Sequence, residues 1–292
     1  MRHRANLLYF GYLSARLLAC LLPRAAALRI ARRVALIWYW GSPRLRANLD
    51  YNLSRLPALA SDAEARARIA RSNAQNFAEV VTEFLYLPRT KPETLARLVD
   101  LESVARLKSM AKGRPVFFVT PHVGNWELAA ATLAMTGFGL HVIVYDHPDR
   151  RIADLFRRRR EEKGLTVMSV RSAARNMAAS LDTVSVGLAG DRDYTGHGAA
   201  ASLLGVSLRV PFAYAGLALS RSVDVIPACC LKKADGKYHV ESDGAIELPK
   251  GETADPMQLV GACLRSFEKY IEKYPEQWYL FEKLGNSRSS EE

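Results

Sequence analysis

The sequence is poor in cysteine and lacks several motifs of well-known enzyme classes. Its four cysteines, among 292 residues, form no C-x-x-C pair, which argues against a zinc site and a disulfide framework. Reduced thiols facing a cytosolic compartment are the simplest interpretation. A G-x-S-x-G elbow and a P-loop are also absent, so neither a serine hydrolase of that type nor a P-loop nucleotidase is predicted.

No apolar run is long enough to span a bilayer without interruption. The segment from Leu7 to Leu22 has sixteen residues with Arg16 near its centre, whereas a spanning helix needs about 20 mostly apolar residues. An arginine held in hydrocarbon is energetically costly. No small-residue cleavage site clearly follows, so a removed signal peptide is not expected; a mitochondrial transit peptide stays an alternative.

Acidic residues are missing from the first 49 positions, where nine arginines account for +9 of the net charge of +11. No nucleic-acid reader motif accompanies them, so nucleic acid is not an expected partner. Basic residues interleaved with Leu, Ile, Trp and Tyr favour an anionic membrane surface. We predict that residues 1–45 form membrane-associating helices, with Trp38, Tyr39 and Trp40 at headgroup level. A packed helical hairpin is the alternative.

Residues 46–292 alternate short apolar runs with helical patterns. Runs such as Pro115–Thr120 (PVFFVT) and His141–Tyr145 (HVIVY) are typical of buried parallel strands. Helical patterns follow after short connections, without repeats or low-complexity linkers. The pattern predicts an α/β fold: a mostly parallel central sheet flanked by helices, in one domain, with an N-terminal amphipathic helical membrane attachment.

The segment PHVGNWE, between a predicted strand and a predicted helix, carries the strongest indication of chemistry. His122 stands at the strand end and Glu127 in the first helical turn, where α/β folds place active sites. We predict that Glu127 hydrogen-bonds one ring nitrogen of His122, while the other takes a proton from a substrate hydroxyl. Gly124 and Asn125, at the helix N-terminus, are expected to offer backbone N–H groups to a phosphate or an oxyanion. The same two residue types also occur at this spacing by chance.

This segment resembles the H-x4-D/E motif of the glycerolipid acyltransferase superfamily, and the chain is most similar to its lipid A late acyltransferase branch. The resemblance covers nearly the whole chain. Further matching segments are Arg46–Leu49 (RANL), Asp154–Gly164 (DLFRRRREEKG), Asp191–Tyr194 (DRDY), Val225–Pro227 (VIP) and Pro275–Trp278 (PEQW).

The resemblance implies an acyltransferase with His122 as general base, assisted by Glu127, and with no covalent acyl-enzyme, metal or cofactor. The donor would be acyl carrier protein or acyl-CoA, and the acceptor a hydroxyl of a membrane glycolipid similar to a lipid A precursor. The implied location is the cytoplasmic face of the inner membrane. Candidate substrate-binding side chains are Arg159, Arg160, Asp191, Arg192 and Asp193.

Two departures from the branch leave the acceptor open. Arg192 replaces a Gln, and Tyr279–Lys283 (YLFEK) stands where the branch has His-Arg-Arg-Phe-Lys. Fewer basic residues there weaken the expectation of a bisphosphorylated disaccharide, so a lysophospholipid or a phosphoinositide mannoside is the alternative acceptor. For Asp191 and Asp193, metal binding and capping are alternative roles. A lipid hydrolase or a non-catalytic lipid-binding protein is the alternative of a different class.

Overall fold

A computed structural model describes residues 2–247 and 255–286, in which short apolar runs form strands and the segments between them form helices. The strands are β1 (Phe117–Thr120), β2 (Leu140–Val144), β3 (Thr166–Ser169), β4 (Ser185–Ala189), β5 (Ala199–Leu203), β6 (Val206–Val210), β7 (Val225–Pro227), β8 (Cys229–Lys232) and β9 (Tyr238–Glu241). The helices are α1 (Arg2–Leu21), α2 (Arg24–Gly41), α3 (Pro43–Leu53), α4 (Ala63–Tyr86), α5 (Pro92–Leu98), α6 (Leu101–Met110), α7 (Trp126–Met135), α8 (Arg150–Glu161), α9 (Val170–Ser180), α10 (Ala213–Arg221) and α11 (Pro256–Lys273).

Five strands form the central sheet in the order β3-β2-β4-β1-β7, and each neighbouring pair is parallel. Side chains alternate across a strand, so β1 serves two cores. Phe117 and Val119 join the core that contains Phe267 of α11, whereas Phe118 joins the core that contains Leu107 of α6 and Leu128 of α7. The predicted α/β fold, with a mostly parallel sheet between helices, is confirmed.

Two antiparallel hairpins lie outside the central sheet. The β8–β9 hairpin follows directly from β7, and the β5–β6 hairpin follows the loop after β4. The sequence analysis did not predict β5 and β6, although Leu204 and Gly205 form a two-residue turn between them. Both have positive φ, 51° and 73°, as the turns favoured in tight hairpins require.

Paired charges attach the N-terminal hairpin (α1 and α2) to α4. Arg24 forms an ion pair with Glu83, and Glu79 pairs with both Arg32 and Lys232 at 2.7 Å. Burial by itself would raise the pKa of Glu79, but hydrogen bonds from Lys232 and Arg32 hold it below its ordinary value. The buried carboxylates of Glu79 and Glu83 are tolerated here because each is paired with a cation.

The hairpin also contributes apolar residues to the main core. Ala35 and Tyr39, four residues apart on one face of α2, are buried there. Tyr39 is only 4% exposed, so the prediction that it lies at headgroup level is wrong. Trp38 and Trp40 remain exposed. Among the described helices, none has the length and apolarity needed to cross a bilayer.

Buried asparagine side chains hold the C-terminal segment (residues 275–284) by its backbone. Asn52 of α3 donates to the carbonyls of Leu280 and Glu282, at 2.9 and 2.7 Å, and accepts from Leu284 N at 2.7 Å. Asn48 makes a single bond of this kind, to the Phe281 carbonyl. The RANL motif and the segment that follows PEQW, far apart in sequence, therefore meet in the fold.

We expect Asn52→Ala to destabilise the protein far more than Asn48→Ala. Asn52 is fully buried and makes three hydrogen bonds to backbone groups, each of which costs about 1–3 kcal/mol when left buried and unsatisfied. Thermal or denaturant unfolding measures the difference, with Asn48→Ala as the matched control. Equal losses in the two variants would contradict this role of Asn52.

Candidate active site

The pairing of β1 with β4 brings His122 and Asp191 together. Thr120 lies opposite Ala189 in the parallel register, and the hydrogen bond from Gly190 N to Thr120 O (2.9 Å) continues it. His122 and Asp191 each come two residues after a member of that register pair. They consequently face each other at the carboxyl edge of the sheet, with Nδ1 of His122 2.6 Å from Oδ1 of Asp191.

Asp191 is the carboxylate that orients the histidine. Its other oxygen, Oδ2, accepts the backbone N–H of His122 at 3.0 Å, and the residue is 1% exposed. Burial alone would raise the pKa of Asp191, but the charges of His122 and Arg192 and the hydrogen bonds from His122 lower it below its ordinary value. An ionised Asp191 accepts a hydrogen bond from Nδ1–H, which leaves Nε2 of His122 to face a substrate.

Glu127 does not contact His122, so the predicted hydrogen bond between them is wrong. Its carboxylate instead receives two hydrogen bonds from Arg160 of α8, Nε to Oε2 at 2.9 Å and Nη2 to Oε1 at 2.5 Å. The Arg160 guanidinium also lies 5.0 Å from the centre of the Phe84 ring. Glu127 lies in the first turn of α7 and points towards α8, whereas His122 precedes the helix and points towards β4.

Gly124 and Asn125 have structural roles, and the prediction that their backbone N–H groups are available to a phosphate or an oxyanion is wrong. The backbone N–H of Gly124 donates to Gln277 O at 2.9 Å, and that of Asn125 to Cys230 O at 2.7 Å. A Cβ on Gly124 would lie 2.0 Å from Cys230 O, and its φ is +69°, so only glycine fits this crossing. The side chain of Asn125 caps α7 by accepting Leu128 N.

Three further predicted binding residues have contacts within the protein. Arg159 is buried against α4, where it donates to Leu85 O, and the prediction that it reaches substrate is wrong. Both carboxylate oxygens of Asp193 accept hydrogen bonds from its own loop, from Thr195 and Gly198. Partial burial would raise the pKa of Asp193, but these hydrogen bonds lower it. Arg192 donates from Nη2 to Tyr279 O at 2.9 Å.

A cavity of about 350 Å³ opens at the carboxyl ends of β2 and β3, and two ring contacts connect its wall to His122. Tyr145 on its wall pairs with the ring of Tyr194 at 5.1 Å, and Tyr194 lies 6.3 Å from the His122 ring. Its wall also holds the Arg160 that is paired with Glu127. The polar side chains that line it are Tyr145, Asp146, His147, Arg157, Arg160, Ser169 and Ser172.

The described residues provide neither a metal cluster nor an activated thiol near this site. No group of three or more His, Cys, Asp or Glu side chains within residues 2–247 and 255–286 could hold a metal ion. Cys230 lies beneath the Gly124 turn and is buried, which raises the pKa of its thiol to about 12. Cys230 is therefore protonated and shielded from substrate.

Comparison with known proteins agrees with this geometry. Residues 1–284 match the sequence model of a family described as bacterial lipid A biosynthesis acyltransferase. The chain belongs to this acyltransferase family. A phosphatidylinositol mannoside acyltransferase of Mycolicibacterium smegmatis is 26% identical over 254 residues, which cover 83% of this chain and 79% of that relative. The resemblance found in the sequence is thus confirmed.

In this acyltransferase the H-x4-E motif divides between two contacts. His122 pairs with the carboxylate after β4, and Glu127 pairs with the arginine-rich helix α8. The role of Asp191 was missed because the sequence does not state which strands are neighbours. The available signal was that His122 and Asp191 each follow shortly after a predicted strand.

We expect Asp191→Asn to reduce kcat by about 10²-fold or more, because a neutral amide neither stabilises imidazolium nor selects the Nδ1–H tautomer. Glu127→Gln should act mainly on KM, because it weakens the ion pair that holds Arg160 in the cavity wall. Release of free thiol from an acyl thioester donor measures kcat and KM for both variants. A larger loss of kcat in Glu127→Gln than in Asp191→Asn would contradict this assignment.

Proposed function

We propose that this acyltransferase moves a fatty acyl chain from a thioester donor, acyl carrier protein or acyl-CoA, to a hydroxyl of a membrane glycolipid. The observation that carries the proposal is the hydrogen bond between His122 and the buried Asp191, at the same edge of the sheet as a polar cavity. A base with a free ring nitrogen and a recess for a polar headgroup are the two requirements of such a transfer.

In the proposed reaction, Nε2 of His122 accepts the proton of the acceptor hydroxyl while the hydroxyl oxygen bonds to the thioester carbonyl carbon. The C–S bond then breaks, and the departing thiolate takes the proton from the imidazolium. Asp191 stabilises the imidazolium between these steps, because its charge lies 2.6 Å from Nδ1. No protein nucleophile is needed, in keeping with the buried thiol of Cys230.

The acceptor headgroup is proposed to occupy the cavity at the ends of β2 and β3. Arg160 lines it with a guanidinium that Glu127 orients. Arg157 and Phe156 lie on the same wall. A guanidinium binds a phosphate through paired N–H groups. Asp146 and the two serines supply acceptors and donors suited to sugar hydroxyls.

A phosphatidylinositol mannoside is the second candidate acceptor. The relative from Mycolicibacterium smegmatis carries that activity in its name. In this chain the segment after PEQW is also apolar where the lipid A branch is basic: Tyr279 and Leu280 are buried, and Tyr279 contacts the rings of Trp126 and Phe281. A singly phosphorylated glycolipid needs fewer cations than a bisphosphorylated disaccharide, which favours this candidate.

The test offers radiolabelled acyl-CoA and acyl carrier protein to the purified protein with each of three acceptors. These are a bisphosphorylated disaccharide lipid, a phosphatidylinositol mannoside and a lysophospholipid, and products are identified by mass spectrometry. We expect an acylated glycolipid, and a loss of about 10²-fold or more in His122→Ala. His197→Ala, an exposed histidine of the β4–β5 loop, is the control.

Two results would oppose the proposal. Acylation of the lysophospholipid alone would exclude the glycolipid acceptor, and thioester hydrolysis without any acylated lipid would favour a hydrolase. Activity of His122→Ala close to that of His197→Ala would exclude His122 as the base.

We also propose that the N-terminal hairpin holds the protein on the cytoplasmic face of the inner membrane. Ile30, Val34 and Ile37 form an exposed stripe on α2 at helical spacing. Phe10, Leu17 and Leu21 repeat the spacing on α1. The exposed basic residues of this region are Arg16, Arg29, Arg33 and Arg44. An apolar stripe beside free cations is typical of a helix lying in an anionic interface.

We expect the double variant Val34→Asp and Ile37→Asp to bind anionic vesicles about 10²-fold more weakly. Burying each side chain in lipid contributes about 1.5 kcal/mol or more, and 1.4 kcal/mol corresponds to a factor of ten. Vesicle flotation at increasing salt measures binding, which should also weaken as salt screens the arginines. The matched control is Leu101→Asp with Phe212→Asp, two exposed apolar residues outside the hairpin. Equal losses in both double variants would argue against the hairpin as the membrane contact.

A further inference from the structure

Arg192 lies next to the His122–Asp191 pair and is largely buried, with 17% of its side chain exposed. Its Nη2 donates to Tyr279 O, and its guanidinium lies 5.8 Å from the centre of the Tyr194 ring. Its Nε is buried and has no hydrogen-bond partner among the described residues. That Nε is 3.7 Å from Oδ2 of Asp191, which is its nearest charged neighbour.

One carboxylate therefore faces both the His122 ring and the Arg192 guanidinium. Oδ1 of Asp191 contacts the His122 ring, and Oδ2 faces both the His122 backbone N–H and the Arg192 guanidinium. Oδ2 is too far from Arg192 Nε for a hydrogen bond, so the interaction is one of charge. In a site with little solvent, a fixed cation there opposes part of the attraction between Asp191 and a protonated His122.

We propose that Arg192 is a positioning residue that shares Asp191 with His122 and so limits the attraction of Asp191 for a protonated His122. The inference rests on the proposed role of His122 as the base. A buried Asp191 acting on His122 alone would favour imidazolium, which cannot accept the proton of a hydroxyl. Arg192 limits that attraction while leaving the orienting hydrogen bond in place.

The other charges around His122 do not replace Arg192 in this role. The titratable and charged groups on the surrounding elements are Asp191, Arg192, Asp193 and Tyr194 of the β4–β5 loop, Glu127 of α7, Arg160 of α8 and Tyr279 of the C-terminal segment. Glu127 and Arg160 neutralise each other in a bidentate pair, and the carboxylate of Asp193 is bound by its own loop. Arg192 alone of these cations faces Asp191.

The same contacts oppose a direct role for Arg192 in acceptor binding, which the sequence had suggested. Its Nη2 is bound to Tyr279 O, its flat face lies near Tyr194, and its Nε points towards Asp191. Arg160, by contrast, lines the cavity while its Nε and Nη2 bind Glu127. Arg192 is not part of that cavity wall.

The experiment compares pH profiles of kcat/KM for the wild type, Arg192→Gln, Arg192→Met and Arg192→Lys in the thiol-release assay. Loss of the cation favours protonated His122, so the acidic limb should move to higher pH by about one unit in the Gln and Met variants. The Lys variant keeps a cation and should restore most of the wild-type profile. KM for the acceptor should stay within about twofold, and circular dichroism shows which variants are folded.

Arg209→Gln is the matched control, because Arg209 also donates to a backbone carbonyl of this region, that of Gly198, and forms no ion pair among the described residues. Its acidic limb should not move. An unmoved limb in folded Arg192→Gln and Arg192→Met, with His122→Ala inactive, would overturn the inference and leave the proposed function intact. A raised acceptor KM with an unmoved limb would assign Arg192 to substrate binding instead. Full activity in His122→Ala would overturn the proposed function and this inference together.

Discussion

The parallel pairing of β1 with β4 positions the reactive groups of this acyltransferase. Two strands in register end at the same level, so the residues that follow them are held within hydrogen-bond distance. Gly190 is part of this requirement, because a Cβ there would lie 2.4 Å from the Val119 side chain. The short, apolar strands are thus the rigid frame from which His122 and Asp191 extend.

The site contains two carboxylates in different surroundings. Asp191 is buried at the end of β4 and orients His122, whereas Glu127 holds Arg160 at the wall of the cavity. In the proposed mechanism, the first carboxylate acts on the proton-transferring histidine and the second on a cation that would bind a substrate phosphate. Both are paired, because an isolated carboxylate would lose too much solvation at such depth.

Support for the catalytic turn comes from distant parts of the chain. Arg24 and Arg32 attach the N-terminal hairpin to α4, and Asn76 of α4 donates to Glu276 O in the C-terminal segment. That segment in turn donates from Tyr279 N to His122 O at 2.8 Å. A continuous set of hydrogen bonds therefore joins the region with the exposed apolar stripe to the backbone of the histidine.

The sequence by itself determined the class of fold, the family and the turn that carries His122. Alternating apolar runs and helical patterns identify buried parallel strands. Local motifs such as HVGNWE can be recognised without knowing which strands are neighbours in the sheet. These features depend on residues close together in the chain. The composition of residues 1–45 also indicated N-terminal helices, although it did not distinguish the buried Tyr39 from the exposed Trp38 and Trp40.

The tertiary structure decided which carboxylate meets which cation. Glu127 is five residues from His122 and Asp191 is 69 away, yet Asp191 makes the contact. Strand order, which places β4 beside β1, is set by packing across both faces of the sheet and not by any local pattern. Gly124, Asn125 and Arg159 likewise found partners within the protein, because buried polar groups bind wherever the fold brings a partner, irrespective of distance along the chain.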